Sequence, residues 1–115
     1  GNLIASQKVE KETKLDLTKL STQTGVRAGY LLDVSKAGSY QMIFKMHSGE
    51  NPFAQLPVSI FVNGVLQQTT TFNGTDNKIR ERAVTISFPE SGENQLTLFF
   101  GESGVRMDEI LLVQE

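Results

Sequence analysis

Between residues 39 and 47 the chain alternates with period two. Tyr40, Met42, Phe44 and Met46 point one way, and Gln41, Ile43, Lys45 and His47 the other. Only an extended strand places every second side chain on one face, so this segment is predicted to be a half-buried antiparallel strand. The pattern recurs along the chain. Tyr30, Leu32 and Val34 share a face within 28–34, Val84, Ile86 and Phe88 within 82–88, and Leu96, Leu98 and Phe100 within 94–100. Val58–Val62 and Val65–Phe72 flank Asn63-Gly64, a strong hairpin signal because a type I′ turn needs positive φ at both central residues. A last strand is expected over about 106–113.

The connections carry turn chemistry. Gly38 closes the 35–38 turn, Pro52 and Pro57 break regular structure in the 48–57 loop, and 73–80 is a polar loop. Pro89 to Glu93 and Gly101 to Gly104 supply two further turns. Short strands at even spacing, separated by such signals, read as an all-β fold. The expectation is one domain over 1–115, a jelly-roll-like β-sandwich of eight or so strands. In the first 25 residues, Lys8–Lys14 reads as an edge strand, where lysines discourage edge-to-edge pairing. Leu15, Leu17 and Leu20 fit a strand or one helical turn equally well.

Composition narrows the function. With 115 residues and 38% apolar content the chain can bury one core. A net charge of −2 offers no field to nucleic acid or an anionic membrane, so neither is an expected partner. No apolar run approaches the ~18–20 residues of a membrane helix. The absence of cysteine removes disulfides, thiolate catalysis and cysteine-based metal sites. His47 is the single histidine, which removes most catalytic triads, and it reads as a surface residue. Met42, Met46 and Met107 read as core filler. The chain is therefore expected to be a non-enzyme, and a monomer. Gly1-Asn2 reads as a cut end of a longer parent.

Four stretches carry a family resemblance. Tyr30-Leu-Leu-Asp-Val34-Ser-Lys-Ala37-Gly38-Ser-Tyr40 resembles the Tyr-x-Val-Asn-Val-Pro-x-Ala-Gly-x-Tyr run of many carbohydrate-binding modules. Ile60-Phe-Val62-Asn63-Gly64 is similar to their Val-Asp-Gly hairpin, and Ser91-Gly92-Glu-Asn94-Gln-Leu96-Thr-Leu98 to their Ala-Gly-x-Asn-x-Ile-x-Leu. Gly104-Val-Arg-Met107-Asp108-Glu-Ile110 resembles Gly-x-Asn-Ile-Asp-x-Ile. Families six and thirty-five, galactose-binding-like jelly rolls, are the nearest in pattern, over about residues 28–113.

The resemblance implies a non-catalytic module of a secreted enzyme acting on polysaccharide, hence an extracellular location, with poly- or oligosaccharide and the parent's catalytic domain as partners. It implies a sugar cleft in the loops at one end of the sandwich. The chain departs from the pattern there. The family's loop tryptophan has no counterpart in Asp76-Asn77-Lys78-Ile79-Arg80-Glu81-Arg82, the tyrosine-bearing segment upstream is shortened, and Arg106 replaces an asparagine. Asn77, Lys78, Arg80 and Arg106 are the candidate sugar ligands, since arginine suits a carboxylate or hydroxyl, with Phe53 as a stacking platform. The same residues also read as solvated loop charges and a core-covering phenylalanine. Glu10, Glu12 and Asp108 match family residues that hold structural calcium, an ion needing six to eight oxygens. The alternative is a charged edge neutralised by Lys8, Lys11 and Lys14. The alternative for the whole domain is a structural sandwich that packs against a catalytic domain without binding sugar.

Overall fold

The computed structural model describes residues 2–25 and 27–115; the expected cut end at Gly1 lies outside them. Nine strands are described and no helix: β1 (Asn2–Val9), β2 (Glu12–Lys14), β3 (Arg27–Val34), β4 (Gly38–His47), β5 (Gln55–Val62), β6 (Val65–Asn73), β7 (Arg80–Phe88), β8 (Gly92–Phe100) and β9 (Arg106–Gln114). They form two sheets, ordered β1-β3-β8-β5-β6 and β2-β9-β4-β7. This is a jelly-roll β-sandwich, as the alternation and turn signals predict. No described helix is long and apolar enough to cross a membrane.

The period-two faces meet between the sheets. Tyr30, Leu32, Tyr40, Met42, Phe44, Met46, Ile86, Phe88, Leu96, Leu98 and Phe100 are all essentially inaccessible to solvent. Tyr40 packs edge-on against Phe88 with centroids 5.2 Å apart, and Phe44 does the same against Phe72 at 5.5 Å, the geometry that ring quadrupoles favour. The two buried tyrosines place their hydroxyls at the rim. Tyr30 donates to the Asp16 carbonyl at 2.8 Å and Tyr40 to the Lys36 carbonyl at 2.6 Å. Burial, reinforced by the Asp16 charge, pushes the Tyr30 phenol up to about 12.

The hairpin at Asn63-Gly64 forms as expected, with φ of 51° and 80°. Differences from the sequence reading concentrate where pairing is non-local. The charged run 8–14 is not one edge strand but the end of one and the whole of another: β1 runs parallel to β3 and closes one sheet, while β2 pairs with β9 and closes the other. Leu15 is buried and Leu17 and Leu20 pack against the core, yet the segment is not a strand; a single turn closes it, with Leu20 N–H donating to the Leu17 carbonyl at 3.1 Å. Pro57 lies inside β5 rather than in the loop. Its carbonyl accepts from Gly101 N–H at 2.9 Å just past the last β5–β8 pair, Val58 with Phe100, so its missing N–H removes a ladder bond only at the end of that pairing.

Candidate functional site

Register places four connections at one end of the sandwich: segment 15–25, and the loops 48–54, 74–79 and 101–105. Arg27 pairs with Phe99, His47 with Arg106, Met46 with Arg80 and Gln55 with Asn73, so the strands bearing these loops begin or end together. The loops are tied into one crown. Buried Thr75 accepts from Ser48 N–H at 2.9 Å and donates its hydroxyl to the Ser48 carbonyl at 3.1 Å. That carbonyl also takes Asn77 N–H at 2.7 Å, and the Glu50 carbonyl takes Asp76 N–H at 3.1 Å. Asp76 and Asn77 both have positive φ, 51° and 67°, a conformation that short polar side chains tolerate better than others. On the other flank, the Thr24 and Ser103 hydroxyls are 2.6 Å apart, closing segment 15–25 onto the last loop.

The crown divides the loop end into two hollows. One, about 280 Å³, is lined by Thr22, Gln23, Ser103, Gly104, Val105 and Arg106. The other, about 250 Å³, opens between the free edges of β6 and β7 and includes Met46, Phe72, Asn73, Thr75, Arg80 and Arg82. Arg80 and Arg106 therefore share an end of the molecule but not one opening, because β7 and β9 lie on opposite sides of β4. Asn77 and Lys78 sit in the crown between them, both exposed. Phe53 is 91% exposed and covers no core. Its loop limb is held beside β6 by Gly74 N–H to the Ala54 carbonyl and Asn73 Nδ2 to the Pro52 carbonyl, which puts it on the Arg80 flank.

Two contributors, Arg82 and Phe72, escaped the sequence reading. Arg82 Nη1 donates to Thr70 Oγ1 at 3.3 Å, and its guanidinium lies 5.7 Å from the Phe72 centroid. The Arg-Glu-Arg run at the start of β7 was the available signal, since residues two apart share a face. His47, by contrast, is occupied. Its Nδ1 is 2.8 Å from Asp108 Oδ2 across β4 and β9.

The three carboxylates proposed for calcium are not brought together. Glu12 pairs with Val113, five residues along β9 from Asp108, a separation of roughly 17 Å at strand rise. Glu10 and Glu12 line an open depression with Lys8, Lys11 and Lys36 at the end opposite the loops, and Lys8 Nζ is 3.6 Å from Glu10 Oε1. Among the described residues, no group of three His, Asp or Glu side chains is placed to hold a metal ion.

A jelly roll that commits both inner faces to the core and gathers polar loops at one end has the architecture of carbohydrate-binding modules, and solved structures show that likeness of fold. A family 35 carbohydrate-binding module from Clostridium thermocellum superposes with a TM-score of 0.69 at 17% identity, covering 92% of this chain and 90% of that one. The module CBM6cm-2 of Cellvibrio mixtus lichenase 5A, solved in complex with cellotriose, superposes at 0.66 with 13% identity, covering 91% and 88%. In sequence, the chain is 29% identical over 103 residues to a β-glucosidase of Ruminococcus albus, a match spanning 90% of this chain and 11% of that protein. No family model matches the chain.

Proposed function

We propose that this domain is a non-catalytic carbohydrate-binding module of a larger secreted enzyme that acts on glycans, and that it binds sugar across the loop end. The likeness of fold to free-standing sugar-binding modules, over nine-tenths of both chains, is the observation that carries this reading. Phe53 would offer an apolar face to a pyranose ring on one flank, and Arg106, Gln23 and Ser103 would bond hydroxyls on the other. Bonds of this kind net only about 0.5–1.5 kcal/mol each, and association has its own cost. Binding is therefore weak, high micromolar to millimolar by one module, and useful through avidity in a multi-site parent. Affinity electrophoresis and calorimetry against a panel of polysaccharides test it. Retention should fall on Phe53→Ala or Arg106→Ala without loss of melting temperature, since both side chains are exposed. Retention by no glycan would overturn the reading.

One observation favours a purely structural role. On the outer face of the five-stranded sheet, the Arg27 guanidinium lies 5.4 Å from the Phe61 ring and 5.2 Å from the Phe99 ring, leaving half-buried aromatics on a surface where polar residues would serve solubility better. A domain that packs against its parent's catalytic domain through this face would raise the parent's melting temperature and bind no sugar. Deleting the domain from the parent enzyme would then lower that temperature.

A further inference from the structure

The hollow between β6 and β7 has a chemistry that the other lacks. Phe72 and Met46 are both buried and provide apolar surface in it, and the charges on its wall are Arg80, Arg82 and Glu81. Arg82 is preorganised, held by Thr70 and by the Phe72 ring, which itself is fixed edge-on by Phe44. Arg80 makes only a long bond, 3.4 Å, to the neighbouring Ile79 carbonyl. The ion pairs among the described residues are Lys8–Glu10, Lys14–Glu109 and His47–Asp108; neither guanidinium is in one, although Glu81 stands between them in sequence.

Two guanidiniums without an acidic partner, over an apolar floor, form a receptor for an oxyanion. A guanidinium fork matches the paired oxygens of a carboxylate or sulfate. The volume, about 250 Å³, lies below the ~300–1,000 Å³ typical of sites that enclose a whole ligand. It suits one substituent-bearing ring rather than a length of chain. We propose that this hollow receives the anionic substituent, carboxylate or sulfate ester, of a glycan; the inference rests on the sugar-binding reading above and narrows its substrate class.

The test is an amide-shift titration of the 115-residue domain with three probes: a trigalacturonate for the carboxylate, a sulfated carrageenan oligosaccharide for the ester, and a neutral galacto-oligosaccharide as control. The expected result is that one acidic probe moves the amides of Phe72–Thr75 and Arg80–Arg82, and that the responding probe identifies the substituent. Arg80→Gln and Arg82→Gln should each weaken that probe about ten-fold or more, the scale of one charge-assisted bond, while Lys36→Gln at the far end does not. Arg82→Lys keeps the charge without the fork and should recover little. Acidic probes that bind no more tightly than the neutral one, or that survive the Arg80→Gln/Arg82→Gln double variant, would overturn the proposal and leave the sugar-binding reading standing. Equal affinity for inorganic sulfate or acetate would reduce the hollow to a free-anion site and overturn it too. Failure of these probes and of the whole glycan panel would remove both.

Discussion

Asn63 Nδ2 donates to Oδ1 of buried Asn94 at 2.9 Å, joining the tip of the β5–β6 hairpin to the turn before β8. The two residues do more than touch. Asn63 Oδ1 accepts from Gln95 N–H at 2.8 Å, and Asn94 Nδ2 donates to the carbonyls of Glu90 and Gly92. One amide pair thus satisfies two turns at the end of the sandwich opposite the 48–54, 74–79 and 101–105 loops.

Asn94→Ala should therefore cost more than its size suggests. It strands the Glu90 and Gly92 carbonyls and the Asn63 amide, a loss of about 2–3 kcal/mol. Thermal melts should show a fall of roughly 10 °C for a domain of this length. Asn63→Gly keeps the positive φ and removes only the side-chain bonds, so its deficit should be smaller. No deficit in either variant would show that backbone conformation, not the amide pair, holds the two turns.

At the loop end the corresponding constraint is steric. A Cβ at Gly74 would run into the carbonyl oxygens of Asn51 and Glu50, which are backbone atoms and cannot rotate away. Gly74→Ala should destabilise the domain by about 2–3 kcal/mol and displace the 48–54 loop. Amide shifts spreading from residue 74 to the Ser48–Ala54 stretch would be the signature. An unshifted 48–54 loop would count against the close approach.

Tyr30 makes the fold sensitive to alkali. Its phenol titrates near 10 when unfolded and is pushed up to about 12 in the fold. Between these values the native state holds the proton and the unfolded state does not, so stability contributed below pH 10 is lost as pH rises toward 12. Tyr30→Phe lacks the hydroxyl that bonds Asp16 and should be about 1 kcal/mol less stable at pH 8. Denaturant melts at rising pH should show that gap narrowing and then reversing. A constant gap would contradict the coupling.

Calcium and a chelator should give superimposable melting curves if Glu10, Glu12 and Asp108 are the only oxygens on offer, because ions bound to the native state alone raise stability by mass action and roughly 17 Å is too far for one ion to span. A rise in calcium would locate the ion elsewhere. Glu10→Gln/Glu12→Gln and Asp108→Asn variants, measured separately, would say at which end.

Much of the architecture is legible in the chain because its causes are local. The period-two faces around Tyr40, Val84 and Leu96 follow from strand geometry, and the Asn63-Gly64 turn from the left-handed φ that it needs. Neither depends on distant residues. What only the tertiary structure decided depends on register. The charged run 8–14 divides between two sheets because β1 finds β3 and β2 finds β9, partners far along the chain that no local pattern names. The same pairing sends Arg80 and Arg106 to opposite sides of β4, places Asp108 beside His47 and far from Glu12, and lays Arg82 over Phe72. A side chain's face is set by its two neighbours in sequence; its companions are set by which strands lie next to one another, and that is settled only when the sheets close over the core.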